Sequence, residues 1–461
     1  MVHHVVAAIA TGIGLLTDKY MLGATNFVEH YAHDFHATDA QKDFVKAAMY
    51  GGAILGMIVM GPLSDIIGRR AGLILCSLIT LCGALLSMFA WCENALIVAR
   101  IITGIGMGGE YPLASSHSAE SSESTNDGAK NVALLYLFGS GGGQALCPLV
   151  TYIMDVAGVP DEMLWRGIFA VGSVLSLLGL GLRIVATKDS QKFKASREDS
   201  KASNQSTRSL LRPYWRPLFG TAGAWFLYDV VEYGLKQNDA AIFDANHDGD
   251  YSQSVLAVFC TRMLVIPSLI VAPWLLTKIS SRKVQVVGFL GCALCNLGLA
   301  LGYGPLKEIS ILFIGLYIVQ LSFQSLPGVT TMAISAEIFP SMVRGTGAGI
   351  SAAFGKLGAT IGSYAFSELK NLGLIATIFW VVVITSFLAI LLTFYAIPYY
   401  NGSTLDAADA LAREGQMEEA VRVLFAGPRN LEVDAKSKYA KDEVTSDEES
   451  GSSVQKVEEV Q

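Results

Sequence analysis

The segment Gly61-Pro62-Leu63-Ser64-Asp65-Ile66-Ile67-Gly68-Arg69-Arg70 lies between two long apolar stretches and decides the fold class of this chain. It combines an acid at a predicted helix end, a glycine able to form a tight turn, and a cationic pair. Anchoring of a membrane protein by cytoplasmic cations would explain the two arginines, but not the spacing of Gly61, Asp65 and Gly68. We therefore interpret the segment as a conformational latch, in which ion pairs hold one side of a helical bundle closed in one state.

The composition is that of a membrane protein. Hydrophobic residues make up 52% of the 461 residues and charged residues only 16%, whereas ordinary soluble domains carry roughly 25% charged residues. These proportions exclude a disordered, collagenous or nucleic-acid-binding chain, and the net charge of −7 adds to the last exclusion. The sequence contains no evident metal-ligand set or nucleophile–base pair, so we expect no cofactor, no metal and no enzymatic activity.

Twelve apolar stretches are long enough to cross a bilayer, whose core of about 30 Å needs roughly 20 residues per helix. Six precede a polar interval and six follow it. By this rule the spans cover about residues 5–28, 44–64, 71–91, 95–116, 131–154, 165–187, 218–237, 253–277, 284–303, 309–333, 346–366 and 371–398. The sequence therefore predicts an all-α membrane protein with about twelve transmembrane helices, arranged as two six-helix halves.

Positive charge is concentrated in alternate loops, which predicts the orientation of the chain. The loop with Arg69 and Arg70 and the lysine-rich linker lie on one side, whereas acids such as Glu93 and Asp161 lie on the other. We expect an integral, multi-pass protein of the plasma membrane with both termini in the cytoplasm. The predicted domains are an amino-terminal half over 1–187, a cytoplasmic linker over 188–216, a carboxy-terminal half over 217–398, and a largely disordered cytoplasmic tail over 399–461 that begins with one amphipathic helix over 404–425.

The two predicted halves repeat three landmarks in the same order. Each landmark recurs about half a chain later, which is typical of secondary transporters with a substrate site at the midplane between the halves. The pairs are Asp18 with Asp229, Arg69-Arg70 with Arg282-Lys283, and Ser118-Ala119-Glu120 with Ser335-Ala336-Glu337.

Ionisable residues inside the spans are the strongest indications of function. Each costs about 2.5–3.5 kcal/mol at the bilayer centre, so each should face a cavity or a partner. Trp225, Asp229 and Tyr233 repeat every four residues and share one helix face, where the acid favours ligand binding over packing. A structural ion pair is the alternative for Lys356, and Arg100 lies near a helix end. The full set is Asp18 with Lys19, Arg100, Glu110, Asp229 with Glu232, and Lys356, of which Lys19 and Glu232 are the weaker members because helix neighbours face different ways.

The loop at 61–70 resembles the G-x-L-[SA]-D-x-x-G-R-[RK] signature of the major facilitator superfamily. Five further motifs are similar to those of the phosphate:proton symporter family within it, and the similarity covers the membrane domain but not the tail. The resemblance implies the major facilitator fold. The motifs are Thr17-Asp18-Lys19-Tyr20, Gly109-Glu110-Tyr111-Pro112-Leu113, the Trp225-Asp229-Tyr233 face, Glu337-Ile338-Phe339-Pro340 with Arg344, and Ser351-Ala352-Ala353-Phe354-Gly355-Lys356.

The resemblance implies a secondary transporter that imports a small anion, phosphate or a phosphate ester, with protons across the lipid bilayer by alternating access. It implies that Asp18 and Glu110 handle the proton. The residues that it assigns to the gate are Gly61, Asp65, Gly68, Arg69, Arg70, Glu337 and Arg344. The residues that would contact the phosphate group are Tyr111, Gln144, Trp225, Asp229, Tyr233 and Lys356.

Several positions depart from the family's pattern. Glu110 stands where the family usually has Asp, and the family's fifth-span Gln maps to Ser140 or Gln144. Leu326-Pro327-Gly328 replaces the family's G-P-N, so the Asn that would bind phosphate is absent. A glycine there is expected to leave room for a larger substrate, as in the related glycerophosphodiester permeases. The alternatives are therefore a glycerophosphodiester permease of the glycerophosphoinositol or glycerophosphocholine type, and a non-transporting phosphate receptor.

Overall fold

The structure is a computed structural model that describes residues 2–31, 39–122, 127–190, 193–194, 207–236 and 251–428. Within these ranges the secondary structure is helical and contains no strand. The predicted all-α architecture with twelve long helices is confirmed, and two shorter helices follow them. The long helices are α1 Val2–Tyr31, α2 Asp39–Ile67, α3 Arg69–Met88, α4 Glu93–Glu120, α5 Gly128–Val156, α6 Asp161–Ala186, α7 Trp215–Lys236, α8 Tyr251–Lys278, α9 Ser281–Glu308, α10 Ser310–Glu337, α11 Arg344–Asn371 and α12 Ile375–Ala396.

Hydropathy divides the twelve helices into two groups. Eight of those in the described ranges are long and apolar enough to cross a membrane, namely α2, α3, α5, α6, α8, α9, α10 and α12. The remaining four, α1, α4, α7 and α11, carry Asp18, Glu110, Asp229 and Lys356. The four helices outside this apolar, weakly charged group are thus the ones that carry the ionisable residues that the sequence singles out, as expected for helices that line an interior site.

Glycines let these four helices approach their neighbours closely. A Cβ atom at Gly56 of α2 would collide with the carbonyl oxygen of Ile105 in α4, and one at Gly362 of α11 would collide with that of Val230 in α7. At such positions backbone-to-backbone contact replaces side-chain packing, as is common between membrane helices. These contacts fix α4 and α7, the helices that carry two of the buried acids.

The helix α5 changes its winding in the middle. Its first part, Gly128–Tyr136, passes through a π-helical stretch, Leu137–Gly143, into Gln144–Val156. A Cβ atom at Gly143 would lie 2.9 Å from the Cβ atom of Lys19 in α1. Because π-helical turns inside α-helices are frequent at functional sites, the part of α5 that approaches α1 is a candidate part of the functional site.

One end of the bundle carries the connection between the two sets of six helices. It is the end at which α6 stops at Ala186 and α7 begins at Trp215, and it is called the linker end below. The helices α2, α4, α10 and α12 also end there, and α3, α5 and α11 begin there. The predicted linker over 188–216 is described in part and includes a short helix, Thr207–Leu211.

Two short helices pack on the linker end. The chain forms α13 Gly402–Arg413 and α14 Met417–Ala426 instead of the single helix predicted over 404–425, because it turns at Gly415, where φ is 82°. Their apolar faces join Phe339 in one buried cluster. The rest of the tail, from residue 429 onward, lies outside the described residues, as does the prediction that it is disordered.

Candidate functional site

The buried lysine of α11 lies between an acid and a phenol of α7. Lys356 is 1% exposed, and its Nζ donates to Asp229 Oδ2 at 2.8 Å and to the Tyr233 hydroxyl at 2.8 Å. The same ammonium group lies 4.1 Å from the centroid of the Tyr233 ring. Trp225, one turn before the acid, packs on Gly355, where a Cβ atom would lie 2.5 Å from the indole. The contact between α7 and α11 thus brings together four of the residues predicted to bind substrate.

A second lysine reaches the same phenol from the other half of the chain. Lys19 of α1 is 3% exposed, and its Nζ donates to the Tyr233 hydroxyl at 3.3 Å. The ring of Tyr111 in α4 lies 5.2 Å from Lys19 Nζ and 5.5 Å from Lys356 Nζ. Lys19 forms no ion pair with the described carboxylates, so two ammonium groups lie close to one paired acid, Asp229. The residues Lys19, Tyr111, Asp229, Tyr233 and Lys356 are called the lysine cluster below.

The two ammonium groups of the lysine cluster would favour an anion between them. Two like charges in a site of low polarity repel each other strongly, and an anion between them converts that repulsion into attraction. The structural alternative for Lys356, an ion pair with Asp229, is present. That pair alone does not account for Lys19, which approaches from a different half to the same hydroxyl.

Asp18 adjoins Lys19 in sequence but lies in a different environment. It is fully buried, and neither of its carboxylate oxygens has a hydrogen-bond partner among the described residues. From the sequence Lys19 is one of the weaker candidates, because helix neighbours face different ways. In the structure Lys19 points to Tyr233 and Asp18 points to a separate buried site. An ionised carboxylate without a partner is very costly to bury, so Asp18 is a position at which a proton would be held.

Glu110 is paired with a buried arginine that the sequence analysis did not single out. Arg183 of α6 donates to both carboxylate oxygens of Glu110, to one of them at 2.8 Å, and also to the Ser77 hydroxyl. A Cβ atom at Gly14 of α1 would collide with both members of the pair, which therefore lies against α1 one turn before Asp18. Arg183 is thus bonded to Glu110, and Asp18, unpartnered among the described residues, lies one turn further along α1. The overlooked signal was a charge inside the sixth span, near the end where the positive-inside rule already explains an arginine.

The space beside Gly328 is occupied. The hydroxyls of Tyr136 in α5 and Tyr228 in α7 lie 2.9 Å apart, and a Cβ atom at Gly328 would collide with both of them. The expectation that this glycine leaves room for a larger substrate is therefore wrong for this conformation. Two phenols from different halves take the place of the family's Asn side chain, and they can donate and accept hydrogen bonds as that amide would.

Gln144 belongs to a second polar cluster. Its Oε1 accepts a hydrogen bond from Lys236 Nζ at 2.7 Å, and Lys236 also pairs with Glu232 one turn earlier in α7. Gln324 of α10 donates to the other oxygen of Glu232 at 3.1 Å. Ser140, the other residue to which the family's Gln maps, and Gln144 line one narrow cleft between α5 and α7, α8 and α10. The predicted contact residue Gln144 thus lies beside the lysine cluster, not within it.

The latch segment connects the halves at the linker end. Asp65 accepts hydrogen bonds from the backbone N–H groups of Gly345 and Thr346, at 3.1 and 2.8 Å, and from the Thr346 hydroxyl at 2.6 Å. These N–H groups belong to the first turn of α11, where they lack intrahelical partners and favour negative charge. Gly61 approaches the same turn, since a Cβ atom there would lie 2.6 Å from the Gly345 carbonyl oxygen. The acid of α2 therefore caps the helix that carries Lys356.

The two arginines of the segment have different partners. Arg69 is fully buried, pairs with the acid of the segment at 2.6 Å, and pairs with Glu120 at 3.1 Å. Arg344 of α11 donates to the same Glu120 oxygen at 3.3 Å, which joins the halves. Arg70 instead contacts its own half, where its side chain donates to the Ile184 carbonyl oxygen at 3.0 Å, and its backbone N–H donates to Asp189 Oδ1 of the linker at 2.8 Å.

Two other predicted gate residues lie at helix ends. Gly68 forms the turn between α2 and α3 with φ at 106°, a region that favours glycine. Glu337 ends α10 and accepts a hydrogen bond from the Tyr400 hydroxyl at 3.1 Å. Glu337 and Glu120 occupy equivalent positions in the two halves but have different partners. Glu337 contacts Tyr400, just before α13, whereas Glu120 pairs with Arg344.

Comparison with known proteins identifies the family. Residues 8–363 match the Major Facilitator Superfamily, which is more than half of the chain. The chain belongs to the major facilitator superfamily. It is therefore an integral, multi-pass membrane transporter and not an enzyme, in agreement with the fold and the signature of the latch segment.

Two similar proteins carry names that concern phosphate or its esters. Glycerophosphoinositol permease 1 of Candida albicans is 27% identical over 425 residues, which are 86% of this chain and 79% of the permease. Inorganic phosphate transporter PT2 of Toxoplasma gondii is 30% identical over 372 residues, which are 77% of this chain and 65% of that transporter.

Solved structures of the superfamily have the same fold. The proton:xylose symporter XylE bound to 6-bromo-6-deoxy-D-glucose superimposes with a TM-score of 0.74 at 19% identity, over 85% of this chain and 95% of the symporter. The transporter FucP in the outward conformation gives a TM-score of 0.67 at 15% identity, over 85% of this chain and 98% of FucP. At these identities the similarity establishes the major facilitator fold and not the substrate.

Proposed function

We propose that this protein imports inorganic phosphate or a phosphate ester together with protons by alternating access. The observation that carries the proposal is the approach of Lys19 and Lys356, one from each half, to the Tyr233 hydroxyl. Phosphoryl oxygens between the two ammonium groups would receive charge-assisted hydrogen bonds from both, and lysine is a common point-charge ligand for phosphate. Because the ligands come from different halves, the bound anion would draw the halves together.

The surroundings of the two lysines favour a phosphoryl group over a neutral sugar. The ring of Tyr111 lies within cation–π distance of both ammonium groups, and Trp225 closes the side next to Gly355. Asp229 would repel a phosphoryl oxygen when ionised, but it could donate a hydrogen bond when protonated. Substrate binding is therefore linked to the protonation of an acid inside the site.

Charge balance supports coupling to protons. With every group ionised, the three acids and three bases of the lysine cluster and of the neighbouring Asp18 and Glu110 sites balance, so an entering anion leaves excess negative charge that is costly to bury. A proton on Asp18 would restore the balance, and the pair of Glu110 with Arg183 lies next to it to stabilise either state. A monoanion would then travel with one proton and a dianion with two. The balanced groups are Asp18, Glu110 and Asp229 against Lys19, Arg183 and Lys356.

The latch segment would control opening at the linker end. Asp65 caps α11, and the network of Arg69, Glu120 and Arg344 joins the halves beside it. Breaking these contacts would release the first turn of the helix that carries Lys356, which links the gate to the substrate site. Gly61 allows α2 to approach α11 closely, and Gly68 allows the turn between α2 and α3. Arg70 and Glu337 would hold the neighbouring segments in place through their contacts with Asp189 and Tyr400.

The orientation of the protein follows from the positive-inside rule. We propose that the linker end and both termini face the cytoplasm, because the lysine- and arginine-rich loops lie at that end. Import of a nutrient anion would take place at the plasma membrane. The halves would comprise residues 1–187 and 217–398, with 188–216 as the linker and 399–461 as the tail.

Both substrate types are represented among the relatives. The Toxoplasma relative is named as a transporter of inorganic phosphate and the Candida relative as a permease for glycerophosphoinositol. We therefore propose that an unlabelled phosphodiester inhibits the uptake of labelled phosphate at least as well as unlabelled phosphate does.

Uptake of labelled phosphate into proteoliposomes tests the proposal. With an acidic exterior and an alkaline interior, the purified protein should accumulate phosphate above its external concentration, and a proton ionophore should abolish the accumulation. Liposomes without protein provide the background. Uptake that stops at equal concentrations, with or without the pH gradient, would exclude proton-coupled import.

A further inference from the structure

The connection between α10 and α11, residues 338–343, is buried although it lies at the linker end. Loops usually run over the surface of a protein, where water satisfies their backbone polar groups. Here all six residues are buried, and Phe339 and Ser341 are each 1% exposed. The connection is called the gate loop below, because it leads directly into the first turn of α11, which Asp65 caps. Its burial shows that another part of the chain covers it.

The two tail helices, α13 and α14, cover the gate loop. Apolar side chains of both helices form one buried cluster with side chains of the loop. Burial of this apolar surface attaches the tail helices to the loop, but hydrophobic contacts are non-directional and do not fix the loop's backbone N–H and carbonyl groups. The cluster includes Phe339, Met342 and Val343 of the gate loop with Leu405, Ala412 and Leu424 of the tail helices.

One acid of α13 bonds the backbone of the gate loop directly. Asp409 Oδ1 accepts a hydrogen bond from the Ser341 N–H at 2.8 Å, and Asp409 Oδ2 accepts one from Arg413 at 2.8 Å. A hydrogen bond is directional, and one to an ionised acceptor is about twice as strong as one between neutral groups. The carboxylate of Asp409 therefore fixes the direction of the loop backbone at Ser341, which the apolar cluster does not.

The gate loop in turn receives two arginines that join the halves. The Ser341 carbonyl oxygen accepts a hydrogen bond from Arg69 of the first half at 3.5 Å, and the Phe339 carbonyl oxygen accepts one from Arg344 at 3.1 Å. Both arginines also pair with Glu120. Ser341 thus contacts α13 through its N–H and the first half through its carbonyl group. The loop carbonyls can accept from the two arginines only while the loop backbone keeps this direction.

We infer that Asp409 is a positioning residue of the gate, which holds the gate loop in the shape that Arg69 and Arg344 need when the linker end is closed. The inference rests on the proposed function and deepens it, because it assigns the two tail helices to the gate. Loss of the Asp409 carboxylate loosens the gate loop and destabilises the closed linker end. It leaves the lysine cluster unchanged, since Asp409 acts through Ser341 and not on the substrate.

Amide hydrogen exchange of the purified, ligand-free protein, measured by mass spectrometry, tests this role. In Asp409→Ala the amides of residues 341–347 should exchange at least about tenfold faster than in the native protein, the change expected for loss of a hydrogen bond to a charged acceptor. Residues 404–424 of the tail helices should exchange at the native rate, because their apolar cluster remains. Unchanged exchange over 341–347 would overturn the inference. Equally faster exchange of the tail helices would also overturn it, since Asp409 would then only stabilise the tail.

Two further variants separate the bond to the gate loop from the charge of Asp409. Asp409→Asn keeps an oxygen that accepts from the Ser341 N–H but loses the ion pair with Arg413, so exchange over 341–347 should stay within about threefold of the native rate. Glu419→Ala removes an acid of α14 whose pair with Arg422 is exposed, and it should leave the exchange unchanged. Exchange as fast in Asp409→Asn as in Asp409→Ala would show that the ion pair matters and not the bond to the loop.

Uptake of labelled phosphate into proteoliposomes relates the exchange result to transport. Asp409→Ala should lower the initial rate about tenfold with the phosphate Kd within about twofold of native, because the empty protein returns more rarely to the state with a closed linker end. Asp65→Ala/Asp409→Ala should be at most about twofold slower than Asp65→Ala, since both residues support the same contact. Multiplied losses would show that Asp409 acts apart from the latch segment and overturn the inference. A native protein that accumulates no phosphate would contradict the proposed function, whereas hydrogen exchange still tests the role of Asp409.

Discussion

Replacement of Lys19 by methionine should weaken phosphate binding strongly without destabilising the empty protein. In the empty site Lys19 lies beside Lys356 and forms no ion pair with the described carboxylates, so its removal relieves a like-charge repulsion. With phosphate bound it would supply one charge-assisted hydrogen bond. Such a bond contributes about 1.5–3 kcal/mol, which corresponds to a Kd that is about ten- to 150-fold higher in Lys19→Met.

Lys356→Met is the matched comparison, because it makes the same chemical change in the same cluster. Lys356 pairs with Asp229 at 2.8 Å, so the variant leaves a buried carboxylate without its partner. Loss of one member of a buried pair costs about 3–5 kcal/mol, and both the Tm and phosphate binding should fall. Asp229→Asn in the Lys356→Met background should recover part of the stability without recovering binding.

Two measurements on purified protein separate these outcomes. Equilibrium binding of labelled phosphate at constant pH gives the Kd, and thermal melting of ligand-free protein gives the Tm. A Kd of Lys19→Met within about twofold of the native value would show that Lys19 does not bind the phosphoryl group. A fall in the Tm of Lys19→Met as large as that of Lys356→Met would show that Lys19 has a structural partner in the empty protein.

Three further predictions concern the gate, the buried pair and the glycine. Asp65→Ala should slow initial uptake about tenfold while the phosphate Kd stays within about twofold, because it uncaps α11 at the linker end; equal losses of rate and affinity would contradict this. Glu110→Gln should lower stability by about 3–5 kcal/mol in denaturant unfolding by stranding Arg183, and Glu110→Gln/Arg183→Gln should be more stable than that single variant. Gly328→Ala should reduce phosphate uptake at least about tenfold, since its methyl group would meet two phenols, and Tyr228→Phe in that background should restore part of it; full activity of the single variant would exclude the packing argument.

The twelve helices could be predicted because bilayer thickness fixes their length and apolar character. The latch segment could be predicted because Asp65 and Arg69 act locally, within one turn of a helix and one loop. Helix length and local motifs do not predict which helices pack against one another. The sequence therefore does not show that Asp65 caps α11, or that the side chain of Arg70 contacts Ile184 of its own half.

Three features of the site depend on packing that the sequence does not reveal. Lys19 is one of the weaker candidates in the sequence because helix neighbours face different ways, whereas in the structure Lys19 and Asp18 lie in two different buried sites. Arg183 was overlooked because a cation near the cytoplasmic end of a span has a simpler explanation. Gly328 was interpreted as empty space, because a missing side chain reveals nothing of the distant phenols that fill its place.

Proton coupling is tested most directly by comparing exchange and accumulation in Asp18→Asn proteoliposomes. Asparagine resembles the protonated carboxyl group but cannot release a proton. The variant should therefore exchange internal for external labelled phosphate at a rate close to that of the native protein, and it should fail to accumulate phosphate when a pH gradient is imposed. Accumulation by Asp18→Asn to the native level under the same gradient would contradict the role of Asp18 as the proton carrier.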